Sequence, residues 1–67
     1  MIDVATTIVR LVGDRYENGK VDRPVYRARE DIAQAAVDNF GHEVSDTSQS
    51  HGELNAWLSR YLKMEFA

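Results

Sequence analysis

The chain has no cysteine. One absence therefore removes a disulfide framework, a thiolate zinc site and a cysteine nucleophile, and it suits a reducing, cytoplasmic setting. Long apolar runs are missing too. None approaches the roughly 20 residues that a membrane-crossing helix requires, and Met1-Ile2-Asp3 lacks the basic-then-apolar order of a secretion signal. No membrane association is expected. There is a single proline, Pro24, and no repeat or low-complexity tract, so neither a solenoid nor a disordered linker is indicated. At 67 residues with 43% apolar content, the chain has room for one domain, burying about 60% of the surface it would expose unfolded.

Basic residues are scarce in the second half of the chain. Residues 10–29 hold Arg10, Arg15, Lys20, Arg23, Arg27 and Arg29 against Asp14, Glu17 and Asp22, a net charge of +3. Residues 30–67 hold only Arg60 and Lys63 against Glu30, Asp31, Asp38, Glu43, Asp46, Glu53 and Glu65, a net charge of −5. A total of −3 thus conceals a polarised molecule, and such polarity steers association with charged partners.

Asn18-Gly19 is a strong tight-turn signal, because a type I′ turn needs positive φ at both of its central residues. With a two-residue loop, Glu17 opposes Lys20, Tyr16 opposes Val21, Arg15 opposes Asp22, Asp14 opposes Arg23, Val12 opposes Val25, and Val9 opposes Ala28. Complementary pairs of this kind contribute roughly 0.2–1 kcal/mol each. The register predicts a β-hairpin over about residues 6–28. Gly13 opposite Pro24 would confine the ladder's break to one bend. A competing pattern runs through the same residues. Val4, Ala5, Ile8, Val9, Leu11, Val12 and Tyr16 also fit a helical period, and Gly19 then reads as a C-cap. The β-branched residues Val4, Thr6, Thr7, Ile8, Val9 and Val12, together with Gly13, weigh against helix by a few tenths to about 1 kcal/mol each. Hairpin is the preferred reading, with a three-helix bundle as the alternative.

The rest of the chain reads as two helices. Ile32, Ala35, Ala36 and Phe40 recur at helical spacing over about residues 30–40, with Glu30-Asp31 at the start and Gly41 as the cap. Ser50-His51-Gly52-Glu53 matches a capping box. It opens a second helix over about residues 51–66, whose stripe of Leu54, Trp57, Leu58, Tyr61, Leu62 and Phe66 is expected to form core, with Trp57 inside. The fold class is therefore α+β: an N-terminal hairpin packed by two helices.

In that hairpin, Val9, Leu11, Tyr26 and Ala28 face the helices. Arg10, Arg23, Arg27 and Arg29 share the other face with Ile8, Val12 and Val25, and Arg10 opposes Arg27. A like-charge pair destabilises a sheet, so its placement points to an anionic partner gripped by guanidinium forks. The plainer reading is that these arginines cover apolar neighbours or pair with the acidic half. Signals for catalysis are weak. His42 and His51 lack the spacing of metal ligands. Ser45, Ser48 and Ser50 suit turns and caps, and Gly13, Gly19, Gly41 and Gly52 form no phosphate loop. No cofactor and no enzymatic activity are expected. The expected function is a non-catalytic binding module, an adaptor, regulator or inhibitor that meets an acidic protein surface through Arg10, Arg23, Arg27 and Arg29. Binding of a nucleic-acid backbone by the same face is the alternative, and an inhibitor of the phage type, aimed at a host or defence complex, is a second. An exposed strand edge leaves a homodimer open.

Overall fold

Asp3 caps the first segment as a helix. In the computed structural model, which describes residues 1–63, the Asp3 carboxylate accepts hydrogen bonds from the Thr6 N–H at 2.8 Å and the Thr6 hydroxyl at 2.6 Å. The Thr7 hydroxyl donates to the Asp3 carbonyl at 2.8 Å. The first of these bonds satisfies an N–H that a helix start leaves orphaned, the two hydroxyl bonds brace the same turn, and helix α1 runs from Val4 to Glu17.

The expected hairpin over residues 6–28 is not formed; this segment takes the helical alternative. Two effects outweigh strand propensity. Val4, Ile8 and Val12 recur every fourth residue and are fully buried, which is worth about 1.5–3 kcal/mol per side chain against a few tenths for β-branching. Asn18-Gly19 then ends the helix instead of turning a ribbon. Asn18 has φ −88°, outside the type I′ requirement, and only Gly19 is left-handed, at φ 71°. The Gly19 N–H donates to Tyr16 O at 3.1 Å and the Lys20 N–H to Arg15 O at 2.7 Å. That pair of bonds is the Schellman closure.

Pro24 likewise opens an element, since a missing N–H costs nothing in a first turn. Helix α2 spans Arg23–Arg27. Ala28 closes it, donating to Pro24 O and Val25 O at 3.1 Å each, and its own carbonyl accepts the Ile32 N–H at 2.9 Å. Helix α3, Arg29–Phe40, follows directly and ends at Gly41, φ 95°. This matches the helix expected over 30–40.

The strands of the α+β fold lie elsewhere. Strand β1 (Ile2–Asp3) pairs antiparallel with β2 (Glu43–Val44), with Ile2 opposite Val44 and Asp3 opposite Glu43. Val4 N–H to His42 O at 2.9 Å extends the ribbon into α1. Helix α4, Ser48–Leu62, starts earlier than the expected 51. Its cap is Thr47, whose hydroxyl oxygen accepts the Ser50 N–H at 3.1 Å, so the Ser50–Glu53 capping box is not used. Residue 66, the last of the expected stripe, lies outside the described residues.

Helices α1 and α3 pack side by side, with Ile32, Ala33 and Ala36 against Val4, Ile8 and Val12, while Leu54 and Leu58 of α4 complete the core with Val21. Ile8 and Val12, assigned by the hairpin to the outer face, are at its centre. Trp57 is half-buried, not inside. Its ring meets the Phe40 ring edge-on at 6.0 Å and tilts over Tyr61 at 4.7 Å, and Tyr61 is 49% exposed. No helix among the described residues is long and apolar enough to cross a membrane.

Candidate functional site

Helix α2 has two unlike sides. Val25 and Tyr26 are half-buried against the core, whereas Arg23, Pro24 and Arg27 are exposed. Residues four apart on a helix are neighbours about 5–6 Å apart at Cβ, so Arg23 and Arg27 form an adjacent cationic pair on the outer side. Neither has a hydrogen-bond or ion-pair partner among the described residues.

Tyr26 fixes this short helix in place. Its ring stacks on that of Tyr16 in α1, with centroids 4.3 Å apart and planes inclined by 17°. The Arg29 guanidinium covers the Tyr26 ring at 4.3 Å and donates to the Tyr26 carbonyl at 3.0 Å. Arg29 is thus half-buried and committed to an arginine–tyrosine–tyrosine pile. A cation held over a ring contributes about 0.5–2 kcal/mol, so this arginine ties α2 to α3 while the Tyr16–Tyr26 stack ties it to α1.

Arg10 lies apart from these residues. With α1 helical, it does not face Arg27, and the like-charge opposition inferred from the hairpin register is absent. It lines a cleft of about 260 Å³ between α1 and the start of α4, shared with Ile2, Thr7, Leu11, Asp46 and His51. His51 Nε2 approaches Asp46 Oδ1 at 3.2 Å. The four arginines expected to form one face therefore divide: Arg23 and Arg27 together, Arg29 beneath them in the ring pile, Arg10 in a separate cleft.

The remaining candidates take structural places. Ser45 and Ser50 share a 3.1 Å hydroxyl contact beside the Thr47 cap, and the His42 carbonyl serves the ribbon. Among the described residues no group of three or more His, Asp or Glu side chains converges as a metal site. The Thr6 hydroxyl, followed by the Thr6 N–H, holds the Asp3 carboxyl below its ordinary value.

Two features escaped the sequence reading. One is an open groove of about 300 Å³ between α1 and α3, lined by Ala5, Thr6, Val9, Glu30, Ala33 and Gln34. The other is the Tyr16–Tyr26 stack, whose two rings the hairpin register had set against other residues. Comparison with protein-family models, curated proteins and solved structures finds no match to this chain.

Proposed function

We propose that this chain is a non-catalytic binding module of the cytoplasm that meets an acidic protein surface through Arg23 and Arg27. The observation that carries this reading is the state of those two side chains: adjacent, exposed and without an intramolecular partner among the described residues, on a helix whose inner side is pinned by Tyr26 and Arg29. Because the element that carries these cations is already fixed, docking of a carboxylate pair has to order only the side chains and not the backbone, and paired guanidinium forks suit that geometry. The net charge of −3 disfavours a polyanionic nucleic acid, for which a broad basic surface is the usual footprint.

The test is a pull-down from a lysate of the native cell using wild-type bait and the double variant Arg23→Ser, Arg27→Ser, with and without nuclease, at two salt concentrations. A protein retained by wild type after nuclease treatment and lost with the double variant supports the reading. Loss on nuclease treatment alone transfers the surface to a nucleic-acid backbone. Equal retention by both baits removes Arg23 and Arg27 from the interface.

A further inference from the structure

The outer side of α4 carries a stripe that is complementary in charge to itself when reversed. Glu53, Ala56, Trp57 and Arg60 follow the i, i+3, i+4, i+7 spacing that places side chains on one side of a helix. Glu53, Ala56 and Arg60 are exposed, and Trp57 is half-buried beside exposed Tyr61. Glu53 and Arg60 have no hydrogen-bond or ion-pair partner among the described residues. A midpoint between positions 56 and 57 makes the stripe read acid, small, aromatic, base in one direction and base, aromatic, small, acid in the other.

We infer that this side of α4 docks on the same side of a second copy of the chain, the two helices running antiparallel about a two-fold axis between Ala56 and Trp57. That symmetry sets Glu53 of each copy opposite Arg60 of the other, and does so twice, as an isologous interface requires. It also brings the two Trp57 rings together, extending the Phe40–Trp57–Tyr61 cluster across the axis. Burial of the half-exposed rings supplies the attraction, while the charge pairs select the antiparallel register. Ala56 keeps the helices close.

Two other surfaces are poorer seats for a second copy. The ribbon edge offers two residues per strand, too few main-chain bonds to hold a partner strand. The α1–α3 groove has one charged lining residue, Glu30, which symmetry would set near its like.

Sedimentation velocity of the full chain, up to about 1 mM, where weak complexes populate, reads the association directly, with Trp57 emission followed over the same range. Wild type is expected to dimerise, with emission shifting to shorter wavelength. Glu53→Arg and Arg60→Glu each place like charges at both ends of the seam, and each is expected to weaken association at least about tenfold. The decisive sample is an equimolar mixture of these two variants. In their heterodimer one chain presents two bases and the other two acids, so both ends of the seam pair opposite charges and association returns to the wild-type level. Both positions are exposed, and circular dichroism checks that each variant remains helical. A wild-type chain that stays monomeric throughout overturns the inference. So does a dimer that ignores both reversals, or a mixture that fails to recover.

Discussion

Ile8 and its neighbour Val9 exchange roles between the two ways of folding residues 4–17, so truncating each in turn discriminates between them. In the helix Ile8 is fully buried and Val9 partly so; in a hairpin Val9 would face the core and Ile8 the solvent. Ile8→Ala removes three carbons, about 2.4 kcal/mol at about 0.8 per methylene, and leaves a cavity that raises the usual cost to about 2–5 kcal/mol. Alanine's better helix propensity returns a few tenths. Val9→Ala loses part of two methyl groups and regains a similar propensity term, so its net cost is below about 1 kcal/mol.

A chain of 67 residues has only about 3–10 kcal/mol of stability in total, so Ile8→Ala should leave a marginal protein. Urea unfolding followed by circular dichroism is the assay. With a slope near 1 kcal/mol per molar for so small a domain, the Ile8→Ala midpoint is expected to fall by about 2 M or more, and the Val9→Ala midpoint by less than about 1 M. A larger loss for Val9→Ala than for Ile8→Ala would refute the helical reasoning and restore the hairpin.

Two further perturbations test the caps. Thr47→Ala removes the acceptor of the Ser50 N–H and should cost about 0.5–2 kcal/mol, more than Ser50→Ala; the reverse order in urea midpoints would reinstate the Ser50–Glu53 box. The Asp3 carboxyl is held below its ordinary value of 3.8 by the Thr6 hydroxyl and N–H. Its folded value is therefore below its unfolded one, so its contribution is complete above the unfolded value and is lost as pH falls through the folded one. Urea midpoints measured down the acid limb should show a shallower decline for Asp3→Asn than for wild type, and identical slopes would remove Asp3 from the linkage.

Where the sequence carried one dominant periodicity, the structure follows it. Ile32, Ala36 and Leu54, Leu58 recur at helical spacing and are buried as that spacing requires. Gly41 supplies the positive φ expected of it. Residues 4–28 carried two periodicities, and local signals failed to separate them because each element of the hairpin argument has a helical counterpart. Asn-Gly suits a type I′ turn and a Schellman closure alike. A proline excluded from a ladder is welcome at a helix start. Tertiary burial decided between them: Val4, Ile8 and Val12 gain more by meeting Ile32, Ala33 and Ala36 than strand propensity offers. Asp3, with threonines at the third and fourth following positions, was the one local clue that favoured a helix outright, since its carboxylate reaches the Thr6 N–H only across a helical turn.

The candidate site was legible in its residues and illegible in its arrangement. Arginine content in 10–29 was plain from the sequence, but adjacency depends on the period: alternation puts Arg27 beside Arg29 and opposite Arg10, whereas a helical turn puts it beside Arg23. That change alters the chemistry. Arg29, set over Tyr26 at 4.3 Å with its guanidinium donating to a carbonyl, is already engaged, so a partner that recruited it would first have to undo the pile that anchors α2. Arg23 and Arg27 are exposed and make no such contact among the described residues, so a partner docking on them as proposed would leave that pile intact. The proposed interface therefore predicts a separation of effects: changes at Arg29 should register in unfolding, and changes at Arg23 and Arg27 in the complex.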